Sequence, residues 1–359
     1  MGVDAQHGRV VSAAVEAFLD LTGAEVPIVQ APMAGSGGVA LAAAAMRGGA
    51  LGSLPCAMLV PQQVVVQAAE TRAEGDGALN LNFFCHALAE ADDAAWRAVL
   101  APYYVAEGVT PGAPPPLRRP FDAAMAEVVE AVRPEVVSFH FGLPDPALLA
   151  RVKASGAAVL GNATTPDEAR WLAGRGVDAV IAQGSEAGGH AGWFLDGHRP
   201  MPLAELLPAI LAAVELPVIA AGGIVDAADI ARAIGAGAAA VQIGTAYLAT
   251  PESTVSAPHR AALGSATETL FTTLFSGRQA RGLRNRLIAE LGATHSAVPP
   301  FPHASAALAP LRAHAETDGR GDYSPMWAGT GHARVVAEAA QDLTERLADD
   351  AHALMEIAP

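Results

Sequence analysis

Cysteine is scarce in this chain, with only Cys56 and Cys85 among 359 residues. Two are too few for a disulfide framework, and both read as small buried side chains beside strands rather than as redox groups. Charge is also thin: 16% of residues are charged and 52% are hydrophobic, so a large interior is expected. Basic residues are in deficit, with 22 Lys and Arg against 37 Asp and Glu, for a net charge of −15. Nucleic acid and anionic membranes both require a basic face, so neither is an expected partner. An anionic small molecule stays open, because a helix N-terminus can hold one locally. Long apolar runs are missing too. A membrane span needs about 20 apolar residues, and the nearest approach, 48–60, is short and interrupted by Gly and Pro. The first fifteen residues carry Asp4, His7 and Arg9 instead of a cationic start and an apolar block. They do not read as a secretory signal, and a cytoplasmic location is expected.

What the chain does have is alternation. Short apolar runs lie at 27–32, 50–54, 78–84, 135–141, 157–162, 179–183, 217–221 and 240–244. Continuous apolar runs of this length suit parallel strands buried on both faces. Between them lie Ala-rich segments with helical spacing, such as 165–175, 203–214 and 226–235. Thr165-Pro166-Asp167-Glu168 reads as a cap, a first-turn Pro and acids at a helix start. Eight strand candidates alternating with helices predict a (β/α)₈ TIM barrel, with an open doubly wound sheet as competitor. The barrel is preferred because no G-x-G-x-x-G turn follows the first strand, and because polar and glycine signals follow many different strands. A bare barrel needs roughly 250 residues. We therefore expect a barrel over 1–250 with an insertion at about 87–133, Pro-rich at 110–120, over its mouth. Residues 251–359, including a loop at 297–302, are expected to form a mostly helical region that completes the substrate side. The extra segments amount to a small, mostly helical second domain or insertion.

Chemistry-bearing residues gather at the predicted strand ends. The seventh strand runs into Gly222-Gly223, with 224–226 opening a helix, and the eighth runs into Gly244-Thr245. In βα barrels these two loops often hold a phosphate on backbone N–H groups and a helix N-terminus, and Gly permits close approach. The sixth strand ends in Gln183 and a loop with four glycines that carries Glu186, Gly188 and His190. His190 is the candidate general base, since imidazole changes charge near neutral pH. Glu186 reads either as a base or orienter, or as a solvated loop carboxylate. After the first strand comes the small-residue turn 31–38, where Met33 either packs on a ligand or fills core. Asn80 and Asn82 share one face of the third strand. Buried amides need partners, which a ligand or the core would supply.

Together, Gln30-Ala31-Pro32-Met33-Ala34, Asn82-Phe83-Phe84, the 183–190 loop, Ala221-Gly222-Gly223-Ile224 and Gln242-Ile243-Gly244-Thr245 resemble the nitronate monooxygenase family. The Glu-Ala-Gly-Gly-His-x-Gly element is similar to that of its first class. The resemblance extends over about 27–250 and returns at 275–286 and 323–329. It implies a (β/α)₈ barrel with a small second domain and noncovalent FMN. It also implies oxidation of alkyl nitronates, and possible oxidation of nitroalkanes, by O2 to carbonyl compounds and nitrite. By position, Pro32, Met33 and Ala34 would line the flavin ring and Asn82 would contact it. Gln183 and Gly188 would sit beside the ring, while Gly222, Gly223, Gln242, Ile243, Gly244 and Thr245 would hold ribityl and phosphate. His190 matches the family's catalytic histidine. Ala191 and Thr330 depart from the family pattern. Apolar walls are expected from Phe84, Trp193 and Phe275, and Arg278 and Arg281 are either cations for a substrate carboxylate or exposed surface arginines. A homodimer is a possible assembly. Two other activities fit the same scaffold: an NAD(P)H-dependent enoyl-thioester or quinone reductase, and an inactive flavin-binding protein.

Overall fold

The computed structural model describes residues 2–3, 10–88, 90–111 and 117–357. Asp4, His7 and Arg9 of the leader segment, and 112–116 of the Pro-rich stretch, lie outside the described residues. Eight parallel strands form one sheet: β1 Ile28–Gln30, β2 Gly52–Pro55, β3 Leu79–Phe84, β4 Val136–His140, β5 Ala158–Ala163, β6 Ala179–Gln183, β7 Val218–Ala221 and β8 Ala240–Ile243. Each expected strand is present, shifted at its ends by two residues or fewer. Neighbours in sequence are neighbours in space, and β8 pairs with β1. Closure comes from β1 and β2: Gln30 N–H donates to Leu51 C=O at 3.0 Å and Leu51 N–H to Ile28 C=O at 2.9 Å. The sheet is therefore a barrel and not an open doubly wound sheet.

Helices wrap the barrel. Before it lies α1 Ala13–Thr22, and α2 Val39–Arg47 and α3 Pro61–Glu74 follow β1 and β2. Two helices follow β3, α4 Ala94–Ala106 and α5 Ala123–Val132. One follows each of the next four strands: α6 Pro146–Ala154, α7 Pro166–Ala173, α8 Leu203–Leu211 and α9 Ala227–Gly235. After β8 come α10 Thr245–Leu248, α11 Ala257–Ala262, α12 Arg286–Leu291, α13 Ala304–Thr317 and α14 Ala340–Ile357. α10 is a single turn, and α14 packs against α9 and α2, in the position an eighth crossover helix would take. The α7 start follows its sequence: Thr165 Oγ1 accepts from Glu168 N–H at 3.2 Å, and Pro166 opens the first turn.

Side-chain alternation divides the core in two. Inward-facing Val29, Leu51, Val136, Leu160, Ala179, Ile181, Ile219 and Ala240 fill the barrel, and Phe18 of α1 packs on them. The alternate residues, such as Val137, Val159, Val180, Val218 and Val241, pack under the helices. A further apolar cluster lies outside the barrel, where Trp96, Leu100 and Tyr104 of α4 meet Leu308 and Leu311 of α13. Trp96 Nε1 donates to Ala304 C=O at 3.3 Å, and Tyr104 O–H to Ala307 C=O at 2.5 Å. The segment inserted after β3 thus packs on the region after β8, although more than 200 residues separate the partners.

Beside this contact Glu107 accepts from Arg320 at 2.6 Å, Tyr323 O–H at 2.7 Å and Arg286 at 3.3 Å. Those donors, Arg320 first, pull its carboxyl down to about 2. A lowered carboxyl pKa adds stability at pH values above the unfolded chain's value, and that gain vanishes as pH falls toward 2. Glu107→Gln should therefore cost about 1–3 kcal/mol at pH 7. In thermal or urea melts across pH, its deficit against wild type should shrink below about pH 4.5. A deficit that stays constant over that range would mean the loss is one of packing.

Candidate active site

The inward columns that are apolar at the base of the barrel turn polar at the top. In β3 the column carries Asn80 and Asn82 beneath Phe84; Ser138 and His140 close the β4 column, Asn162 β5, Gln183 β6 and Gln242 β8. Above this layer, at the carboxyl ends of the strands, opens a cleft with about 1250 Å³ of atom-free space including its mouth. Every barrel strand except β2 contributes to its lining, either directly or through the loop that follows.

Twelve of the thirteen residues singled out by sequence line this cleft: Pro32, Met33, Ala34, Asn82, Gln183, Gly188, His190, Gly222, Gly223, Gln242, Gly244 and Thr245. Ile243 does not. Strand alternation turns it away from its neighbours Gln242 and Gly244, and it is fully buried under the helices. Asn82 Nδ2 donates to Ser138 Oγ at 2.9 Å, which leaves Oδ1 as the acceptor toward the cleft. Gln242 makes no side-chain bond to any described residue. Asn80 sits one step lower in the barrel and bonds Ser53 Oγ at 3.0 Å, and its Oδ1 lacks a partner.

Gln183 is a clamp. Its Oε1 accepts from Asn162 Nδ2 at 3.1 Å and Gly192 N–H at 2.8 Å, and its Nε2 donates to His190 C=O at 3.0 Å. Gly192 allows this: a Cβ there would lie 2.1 Å from Asn162 Nδ2 and 2.7 Å from the His140 ring. Glu186, half-buried, is engaged as scaffold: both its oxygens accept from Leu203 N–H at 2.9 and 3.1 Å, at the start of α8. The expected anion site on α9 is likewise taken. Asp226 caps that helix, Asp229 accepts from Val225 N–H at 3.1 Å, and Arg334 bridges Asp229 to Gly223 C=O. The free donors lie just before it. Gly222 and Gly223 turn through φ of 122° and 72°, and no described residue accepts from the N–H of Gly223 or Ile224.

His190 is built into a two-residue strand, Gly189–His190, which pairs antiparallel with Ala280–Leu283, itself paired with Thr269–Thr272. Its ring is enclosed by Phe84, Phe141, Phe301 and Trp327, at centroid distances of 6.3, 6.0, 5.3 and 5.6 Å. His190 Nε2 lies 2.9 Å from Ser276 Oγ, and that hydroxyl donates to Arg278 C=O at 3.2 Å. With that hydroxyl donating to Arg278, the matching tautomer has Ser276 accept from Nε2–H and leaves the lone pair on Nδ1, which bonds no described residue. Burial first, and then the charge of Arg118, hold the His190 pKa well below the ordinary imidazole value. Burial likewise lowers His86 to about 4 and His140 to about 3.

Comparison with known proteins agrees with this geometry. The nitronate monooxygenase family model matches residues 16–350. A nitronate monooxygenase of Paraburkholderia phytofirmans is 41% identical over 343 residues, covering 92% of this chain and 93% of that protein. One of Pseudomonas aeruginosa is 38% identical over 348 residues, covering 93% and 98%. The chain belongs to the nitronate monooxygenase family. Among solved structures, a nitroalkane oxidase from Streptomyces ansochromogenes superposes with a TM-score of 0.88 at 36% identity, covering 96% of this chain and all of that one. FabK of Thermotoga maritima, at 24% identity and a TM-score of 0.75, shares the fold.

Within this family member, several cleft residues escaped sequence reasoning. Phe301 comes from the 297–302 loop of the region expected on the substrate side but is not singled out there, and His86, Arg118, His140 and Ser276 stand outside the quoted motifs. His140 alone had a usable signal, since it occupies the last inward position of its strand. Of the expected walls and cations, only Phe84 lines the cleft; Trp193, Phe275, Arg278 and Arg281 do not. Phe275 packs behind Trp327 at 5.7 Å, and Arg281 donates to Ser185 C=O at 2.7 Å while stacking on Phe271. Arg278 is no surface arginine either: its guanidinium lies between the rings of Phe141 and Trp193, at 4.2 and 3.9 Å. Since burial disfavours imidazolium, His190 should remain neutral well below pH 6.5, where an ordinary imidazole is half protonated. Nitrogen-15 NMR of labelled histidines, assigned against His190→Asn, measures this. A cationic His190 ring at pH 7 would contradict it.

Proposed function

We propose that the chain is an FMN-dependent nitronate monooxygenase that oxidises alkyl nitronates with O2 to carbonyl compounds and nitrite. The observation that carries this is His190: a neutral imidazole with Nδ1 open to the cleft, walled by aromatic rings and oriented by Ser276. The polar groups left over in the cleft suit FMN. The free N–H groups at Gly223 and Ile224 suit a phosphate, and the unpaired amide of Gln242 and Oδ1 of Asn82 suit polar edges of a flavin. Pro32, Met33, Ala34 and Gly188 offer small or apolar surface for the ring, and Gly244 and Thr245, also in the lining, would serve the phosphate side. Bound flavin supplies the electron acceptance and oxygen chemistry.

The protein's part is placement and proton control. Gln183 holds the His190 backbone, and Ser276 fixes the tautomer so that Nδ1 meets the carbon acid or its anion. Aromatic walls exclude water, which strengthens every charge interaction inside. In this reading residues 1–250 bind the cofactor, and the later residues supply Ser276, Phe301 and Trp327 to the substrate side. The protein works in the cytoplasm on small nitro compounds.

Acid precipitation should release FMN, without covalent attachment, into the supernatant. Gly223→Asp should abolish FMN binding, because a carboxylate would meet the phosphate where water is scarce and the residue's φ is positive. Normal flavin content in the folded variant would place the phosphate elsewhere.

His190→Asn with FMN bound should lose roughly 10²–10⁴-fold in activity on a neutral nitroalkane, the usual share of general base catalysis. Pre-formed nitronate, whose proton has already gone, should suffer much less. Oxygen uptake with the paired substrates reads both. Equal small losses would leave His190 a structural residue, and NADH oxidation without nitronate turnover would favour a reductase instead.

A further inference from the structure

One charge in the cleft has no task in the chemistry above. Arg118 lies between β3 and α5, and its side chain lines the cleft. Its Nε and Nη1 are buried and have no hydrogen-bond partner among the described residues. Nη2 meets Met58 Sδ at 4.0 Å, and the guanidinium carbon stands 5.9 Å from the Phe301 ring centre. No carboxylate among the described residues pairs with it. The same Phe301 ring packs against His190 at 5.3 Å and His86 at 4.8 Å, so Arg118 and the histidines share one wall. His86 Nε2 lies 3.2 Å from the Arg118 carbonyl oxygen, which fixes the backbone there.

Guanidinium is always charged, and buried donors without acceptors are rare because they are costly. Nothing nearby neutralises this charge. The titratable groups around it are His86, His140, His190 and Arg312, none of which supplies negative charge. The cations near it are engaged: Arg312 pairs with Glu316, and Arg278 donates to Trp193 C=O, stacks on two rings and is not on the cleft wall. A fixed, unpaired positive charge at the rim of an apolar cleft is a receptor for an anion.

We propose that Arg118 binds the negatively charged oxygens of the substrate's reacting group, through guanidinium nitrogens that have no partner among the described residues. This rests on the proposed nitronate activity. It makes Arg118 a binding residue that recognises the anionic form of the substrate, while His190 meets the carbon end. The chain as a whole carries a net charge of −15, so this local cation also gives an anion a reason to enter.

Inorganic nitrate, a planar oxyanion, is the probe, titrated against the visible spectrum of the flavin-loaded enzyme. Wild type should bind nitrate, Arg118→Met should bind it roughly 10- to 100-fold more weakly, and Arg118→Lys should recover part of the loss. KM for an alkyl nitronate should rise by a similar factor in Arg118→Met, with kcat changed less. Removing an uncompensated buried charge should leave the melting temperature equal or higher. Nitrate binding that is absent in wild type, or unchanged in Arg118→Met, overturns the proposal. So does a large loss of stability in Arg118→Met, which marks a structural role. If wild type binds nitrate through Arg118 but does not oxidise nitronate, the activity fails and the anion site stands.

Discussion

The pairing of Gly189–His190 with Ala280–Leu283 is the contact on which the site depends. It holds the loop after β6, rich in glycine and otherwise free to adopt many conformations, in one extended form. Ala191 N–H donating to Gln279 C=O extends the grip by one residue, and Gln183 holds the same loop from the barrel side. The chain after β8 thereby joins the barrel's own chemistry, because Ser276 and Arg278 precede the paired strand directly. Without it, His190 would sit on a loop with no fixed tautomer and no aromatic wall.

The electrostatics of the site follow from burial. An acidic protein presents a cleft in which Arg118 is the permanent charge of the lining, with Arg278 packed behind it, and burial holds the pKa values of His86, His140 and His190 below the ordinary imidazole value. The carboxylates near the site are committed to the backbone. Glu186 receives the α8 start, and Glu168 accepts from Thr164 and from the Phe194 and Leu195 N–H groups. Negative charge is thus used as scaffold, and the cleft itself is left neutral to cationic. That arrangement suits an anionic substrate.

Barrel strands were legible because parallel strands buried on both faces leave continuous apolar runs that need no knowledge of their partners. Cleft residues within or just beyond those runs were legible for the same reason, since strand ends converge in a barrel. Ile243 failed on the finer period: its neighbours Gln242 and Gly244 share one face and Ile243 the other, so a contiguous motif overstates the lining. Asp226 opens its helix as expected, but the role of Glu186 stayed open because a carboxylate's work is set by which backbone N–H lies opposite, and it found a helix start. Arg281 and Phe275 fell on the expected segments but face a different layer.

By itself, the sequence determined the strand and helix alternation, the barrel it implies and the ring of small, glycine and amide residues at its top. These depend on local composition and on period, which each segment carries independently. Tertiary structure alone decided which residues wall the reacting end: Phe301 from a proline-rich loop, Ser276 behind His190, and Arg118 from the insertion. Their partners, such as His190 for Ser276 and Phe84 and His86 for Phe301, lie far away along the chain and come together only when the outer helices pack. No local pattern encodes a contact that exists only between surfaces folding makes adjacent.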